Sequence, residues 1–268
     1  VPSSLRLWCV SYRDIVDERL LGQYWELLSE SERAQQRRFY FEDDRRRYLL
    51  TRALLRTVLS EHVTADITPR EWTFEPGEHG RPYITNTHPE LGDVSFNLSH
   101  TKGLILLALA RGRIVGVDTE VISDARPLLE IADRFFAPAE VAALRALATH
   151  EQPQRFFQYW TLKEAYIKAR GMGLAIPLDQ FAFHFPQPGQ VDLTLDPRQP
   201  DVAERWRFWQ FRVKSDFLAA LCIEAQGPSG ATTGGERPDP EGRVEVFDTV
   251  PLVSERPLIC PVLRASAA

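Results

Sequence analysis

The chain has 268 residues, 44% hydrophobic and 26% charged, the balance of a soluble globular protein with apolar content for one large or two small cores. Its longest apolar run, Leu104 to Ala110, is far below the roughly 18 residues of a membrane-spanning helix, and no basic-then-apolar leader opens it, so a cytoplasmic location without membrane contact is expected. The net charge of −5 argues against bulk attraction to nucleic acid, and three scattered cysteines, Cys9, Cys222 and Cys260, match neither a disulfide framework nor a zinc spacing.

Leu5 to Val10 alternates and predicts a first strand. Two helices follow, Leu20 to about Leu28 and one opening at Ser29 or Ser31, where Ser29-Glu30-Ser31-Glu32 supplies cap and first-turn acids. A third runs from Asp43-Asp44 to about Leu59. It places Leu50, Leu54 and Val58 on one side with Arg47 at the start of that side, whereas Arg52 points elsewhere. An arginine at the edge of a core needs an anion. Between Arg33 and Arg56 stand eight arginines against three acids, which reads as a solvated face or as a basic patch for nucleic acid. Trp72-Thr73-Phe74 is a short strand, followed by a loop from Glu75 to Pro82.

Strands are expected at Ser95–Ser99, Leu104–Ala110 and Ile114–Val117, an antiparallel meander turning at Arg111-Gly112-Arg113. Helices are expected at Pro127–Phe136, Pro138–Ala148 and about Pro153–Arg170. Strands return at Phe181–Phe185, Gln190–Leu195, Trp206–Val213 and Phe217–Glu224, so the fold class is α+β. From Gly227 to Gly242 the composition is that of a flexible linker, and Val244–Leu263 reads as an added strand or a docked tail.

Three stretches carry chemistry. On the last helix, Glu164 and Lys168 project within about 40° of each other on the face of Phe157, Trp160 and Ile167. Alone, that is an ordinary i,i+4 ion pair worth about 0.2–0.5 kcal/mol. In Gly116-Val117-Asp118-Thr119-Glu120 the two acids leave a strand on one face, where they repel unless a hard cation such as Mg²⁺ offsets them; the bland reading is a solvated strand end. In Phe96-Asn97-Leu98-Ser99-His100-Thr101, small polar side chains, backbone N–H groups and a histidine suit phosphate oxygens. Ser99 as a hydrolase nucleophile lacks the Gly-x-Ser-x-Gly elbow.

These stretches, in this order with Gly80-Arg81-Pro82, Arg37-Arg38-Phe39-Tyr40 leading to Arg47, and Trp160 through Gly171, resemble the Sfp-type 4′-phosphopantetheinyl transferases over about residues 5–225. The resemblance implies two similar α+β halves in a pseudo-twofold arrangement, residues 1–113 and 114–226, the second carrying the metal site, with 227–268 as linker and tail. It implies Mg²⁺-dependent transfer of 4′-phosphopantetheine from coenzyme A to a serine of an apo acyl or peptidyl carrier protein by a monomer, releasing adenosine 3′,5′-bisphosphate. Asp118, Glu120 and Glu164 are then the metal ligands, with Glu164 also the favoured base, directly or through a metal-bound water. Lys168 contacts the phosphates and neutralises the leaving group, with Lys163 a lesser candidate. Arg47 and His100 hold the 3′-phosphate, Ser99 lies near the pyrophosphate and Arg81 at the nucleotide.

Some positions depart from the family pattern. Many relatives carry lysine where Arg81 stands, and basic residues used by some near Glu32 and Gln35 are absent. The carrier is expected near Pro127–Phe136, through Leu128, Ile131 or Phe135. The competing readings are a nucleic-acid-binding module using Arg33–Arg56 and a non-catalytic coenzyme A-binding relative. Intact Asp118, Glu120, Glu164 and Lys168 argue against the latter.

Overall fold

A computed structural model describes residues 5–77, 81–123, 127–172, 176–225 and 244–267. The linker expected at Gly227–Gly242 and the loop residues Glu78–Gly80 lie outside the described residues. In chain order the elements are β1 (Leu5–Val10), α1 (Glu18–Leu27), α2 (Glu30–Arg38), α3 (Glu42–His62), β2 (Phe74–Pro76), β3 (Pro82–Ile84), β4 (Val94–Thr101), β5 (Leu104–Arg111) and β6 (Val115–Val121). Then come α4 (Leu128–Phe135), α5 (Pro138–Arg145), α6 (Gln152–Arg170), β7 (Phe181–His184), β8 (Asp192–Leu195), β9 (Trp206–Val213), β10 (Phe217–Glu224), β11 (Val244–Val250), β12 (Ser254–Pro257) and β13 (Val262–Ala265). The fold is α+β. Among the described residues no helix is long and apolar enough to cross a membrane.

Two sheets dominate, one ordered β12-β11-β1-β5-β4 and the other β13-β9-β10-β6. Within them β1 and β11 pair in parallel and the remaining neighbours are antiparallel. Strand alternation decides their packing. In β5, Ile105, Leu107 and Leu109 enter a core with Leu50, Leu54 and Val58 of α3. Leu104, Leu106, Ala108 and Ala110 enter another with Val115 and Val117 of β6 and Ala219, Leu221 and Ile223 of β10. The opposite face of β10, through Leu218, Ala220 and Cys222, joins the α6 residues Leu162, Ala165, Tyr166 and Ala169 in a third core. The layers therefore run helix, sheet, sheet, helix. Tail strands β11 and β12 extend the first sheet and β13 the second. Cys9 and Cys222 are buried free thiols.

Several expected elements shift. The strand expected from Trp72 begins at Phe74, because Trp72 turns into the core and donates its indole N–H to Ser60 Oγ at 2.8 Å. The strand expected to end at Val117 runs on to Val121, since Asp118 and Thr119 are buried and paired to β10 through Ala220 and Ala219. On α3, the arginines that enter the interior are Arg52 and Arg56, correcting the choice of Arg47. Both donate to Glu32 of α2, Arg56 at 2.6 Å. Burial alone raises the Glu32 carboxyl, but the two guanidiniums and the Ser29 N–H bring it below its ordinary range.

Candidate active site at the junction of the two sheets

β4 and β6 are edge strands of different sheets, and side chains stitch them together. Asn97 Oδ1 accepts the Val117 N–H at 2.9 Å, and Ser99 Oγ accepts the Thr119 N–H at 3.3 Å. Two residues apart on one strand, Asn97 and Ser99 face the same way and satisfy backbone donors two residues apart on the other. Asn97 had no assigned role in the sequence; its period-two spacing from Ser99 was the available signal.

Gly116, Asp118 and Glu120 share the face of β6 that meets α6. A Cβ on Gly116 would lie 2.2 Å from Ala165 O and 2.4 Å from Ala169 N, so only glycine lets the helix rest on the strand. The helix stops at Gly171, whose φ of +68° is a left-handed cap. Close approach brings Lys168 Nζ to 2.6 Å from Asp118 Oδ1 and 3.0 Å from Ser99 Oγ, and Ser99 donates to the same carboxylate oxygen at 2.9 Å. The Lys168 ion pair thus joins helix to strand, where helix spacing had suggested Glu164. Among the described residues, Asp118 Oδ2 is buried and has no hydrogen-bond partner.

Glu164 lies one turn before Lys168. Burial first, and then the Asp118 charge, push its carboxyl up to about 7, while Lys168 acts in the opposite sense. A buried carboxylate oxygen without a donor and a second carboxylate that resists ionisation beside it form a donor set that fits a hard divalent cation. Among the described residues, Glu61, His62 and Glu255 alone bring three metal-capable side-chain atoms within 4.8 Å of one another. That group suits a cation poorly. Arg6 Nη1 lies 3.1 Å from His62 Nδ1, and a guanidinium can only donate, which fixes the ring proton on Nε2 toward Glu255.

Above Asp118 opens a cavity of about 1110 Å³, whose lining includes Arg47, Ser99, His100, Asp118 and Lys168. Arg47 is half-buried and pairs with Asp44, three residues earlier on the same helix, at 2.8 Å. His100 opens to this cavity yet has protein on several sides; burial, with Arg47 and Lys168 adding to it, holds its imidazole below the ordinary value.

Two expected phosphate or nucleotide contacts lie elsewhere. Lys163 is fully buried, donates to Leu178 O and Phe181 O at 2.7 Å each, and pairs with Glu140 at 2.8 Å. It is a core cation, because the residue next to Glu164 on a helix points about 100° away. Arg81 points its guanidinium at backbone carbonyls, Phe96 O at 2.6 Å and Lys168 O at 3.1 Å. In α4, Leu128 is buried and Ile131 packs against the core, leaving Phe135 as the exposed member of the expected docking trio. The arginine run is largely tied down within the fold: Arg33 and Arg37 lie over the Trp25 ring, Arg45 donates to Phe39 O and Arg46 to Ile15 O.

A family model described as the 4′-phosphopantetheinyl transferase superfamily matches residues 114–222, and one described as the N-terminal part of 4′-phosphopantetheinyl transferase matches residues 18–111. The chain is 32% identical to 4′-phosphopantetheinyl transferase HetI of Nostoc sp., over 75% of this chain and 80% of that one. It is 33% identical to 4′-phosphopantetheinyl transferase Sfp of Bacillus subtilis, over 75% and 84%. The chain belongs to the 4′-phosphopantetheinyl transferase family. A third relative of this transferase, psf-1 of Bacillus pumilus, is 30% identical over 75% of this chain and 84% of its own. The two family models adjoin where β5 gives way to β6, and the Asp118, Glu164 and Lys168 cluster falls within the second match.

Proposed function

We propose that this transferase moves the 4′-phosphopantetheine moiety of coenzyme A onto a serine hydroxyl of an apo acyl or peptidyl carrier protein, with Mg²⁺ as cofactor. The observation that carries the reading is the divided state of Asp118, with Oδ1 held by Lys168 and Ser99 and Oδ2 buried without a partner among the described residues, on the wall of a cavity shared with Arg47 and His100. We further read the two sheets and their helices as two similar halves related by a pseudo-twofold axis, residues 1–113 and 114–226, acting as a cytoplasmic monomer.

Asp118, Glu120 and Glu164 would hold the cation, as oxygen ligands suited to Mg²⁺. Bound there, it would supply charge neutralisation on the pyrophosphate oxygens and so assist departure of the nucleotide. The protein's own groups supply the rest. Arg47 and His100 hold the 3′-phosphate, Ser99 lies beside the pyrophosphate, and Lys168 neutralises the leaving adenosine 3′,5′-bisphosphate. Glu164, buried beside Asp118 and one turn from Lys168, is the group we assign to accept the serine proton. The serine oxygen bonds to the phosphorus bearing pantetheine as the bond from that phosphorus to the bridging oxygen breaks. Exposed Phe135 on α4 is the residue we assign to the carrier contact.

The test is incubation with coenzyme A and a panel of apo carrier proteins, with and without Mg²⁺, followed by intact-mass measurement. A phosphopantetheine mass gain that needs Mg²⁺, and that is lost in Asp118→Ala and Glu164→Ala, is expected. No gain on any carrier would count against transfer, and salt-sensitive retention of RNA or DNA would favour the basic-patch reading. Coenzyme A binding without transfer would mark a non-catalytic relative.

A further inference from the structure

We propose that Arg81 is a positioning residue for Lys168, holding the last turn of α6 so that the Lys168 ammonium meets Asp118 and Ser99. This rests on the reading that Lys168 takes part in transfer. Arg81 stands at the entry to β3, and its guanidinium reaches three other elements. Nη1 donates to Lys168 O of α6 at 3.1 Å, and Nη2 donates to Phe96 O of β4 at 2.6 Å, with longer contacts to Val115 O of β6 at 3.3 Å and Ser95 Oγ at 3.4 Å. The bonded carbonyl belongs to the very residue whose side chain enters the cavity.

Lys168 O is among the last carbonyls of a helix, which lack the onward N–H donors of the helix interior. Among the described residues, its backbone donor at the cap is the Gly171 N–H, at 3.2 Å. A charge-assisted bond from Arg81 completes it and lies along the favourable direction of the helix dipole. Arg81 lines a smaller cavity of about 640 Å³ with Phe96, Ala169 and Gly171. The larger cavity is lined by Lys168, at the other end of the same residue's bonding network. A planar fork can serve carbonyls on separate elements at once, whereas a lysine ammonium is a point donor.

A double-mutant cycle tests the assignment, using an apo carrier that the native chain modifies and both coenzyme A and 3′-dephospho-coenzyme A. Arg81→Lys keeps the charge and loses the fork. We expect its kcat to fall about 10- to 100-fold, by the same factor with both substrates, with little change in the KM for coenzyme A. Lys168→Ala combined with Arg81→Lys should be no worse than Lys168→Ala alone, because the first residue acts through the second. Additive losses, a KM raised for both substrates, or a loss confined to coenzyme A would overturn the proposal, the second making Arg81 a nucleotide contact and the third a 3′-phosphate contact. Should Arg81→Lys fold poorly, Arg81→Gln runs through the same cycle. Hydrogen exchange gives a readout independent of carrier choice: the amides from Ala169 to Gly171 should exchange faster in the variant while β10 keeps its protection. Unchanged exchange there would also overturn it. A native chain that modifies no carrier would instead count against the transfer reading, leaving the exchange result to judge Arg81.

Discussion

The Cβ that Gly116 lacks would lie 2.2 Å from the carbonyl oxygen of Ala165. Strand β6 and helix α6 therefore touch backbone to backbone, and neither atom belongs to a side chain that could swing aside. The 2.6 Å bond between Lys168 and Asp118 depends on this contact. Gly116→Ala is expected to push the helix away, lowering stability by about 2–3 kcal/mol in urea unfolding and reducing transfer further than the unfolded fraction explains. Gly22→Ala is the contrast. Gly22 lies within α1 with nothing within 4 Å of an added Cβ, so it should be neutral or stabilise by up to about 1 kcal/mol. Equal stability of the two variants would refute the tight packing.

Glu164 makes stability depend on pH when metal is absent. Its folded carboxyl is pushed up to about 7 from a reference value of 4.5, so between those values the folded state binds the extra proton. Stability from this group is present at low pH and is lost as pH rises, up to about 3 kcal/mol across the window. In chelator, Glu164→Gln should therefore gain on the native chain as pH rises from 5 to 7.5, measured by thermal unfolding. Adding Mg²⁺ at pH 7.5 should stabilise the native chain and leave Glu164→Gln nearly unmoved. A Tm difference that stays flat with pH would remove Glu164 as the titrating group.

Much of this arrangement could be read from the residues. Alternation in Leu104–Ala110 and in Gly116–Glu120 predicted strands and faces, because period two is a local property. Partners remote in sequence were less legible. A helical wheel assumes one buried face, but α3 is buried on nearly all sides from Leu49 to Leu59, so Arg52 and Arg56 are interior because Glu32 of α2 meets them. The resemblance offers Lys163 as a lesser phosphate contact beside Lys168, but its partner Glu140 lies on another helix. Asp118 and Lys168 were each recognised, yet the direct ion pair between them comes from how α6 crosses β6, which no spacing along the chain encodes.

Arg47 provides a substrate-based test. It lines the large cavity and already holds a carboxylate, Asp44 at 2.8 Å, so its guanidinium is oriented before an anion arrives. If it clamps the 3′-phosphate, Arg47→Ala should raise the KM for coenzyme A about 10- to 100-fold, the worth of a charged hydrogen bond. Turnover of 3′-dephospho-coenzyme A should change little. Equal losses with both substrates would assign Arg47 to the fold of α3 instead.

The Lys163–Glu140 pair separates a structural cation from a substrate-binding one. Burial pushes the Glu140 carboxyl up and the Lys163 ammonium down, each opposed by the other's charge, and the Ala137 and Phe183 N–H groups that donate to Glu140 also oppose the rise of its carboxyl. Removing one member leaves the other buried and unpaired, at a cost of about 3–5 kcal/mol. Lys163→Met is therefore expected to lower stability by that amount, and the folded protein should keep its KM for coenzyme A. Adding Glu140→Gln should recover part of the loss, since no bare charge then remains, although Leu178 O and Phe181 O still lack their donor. A raised KM for coenzyme A in a stably folded Lys163→Met protein would return Lys163 to the phosphate site. With Nζ held between two carbonyls and a carboxylate inside the core, the expected result is a destabilised enzyme with ordinary substrate affinity.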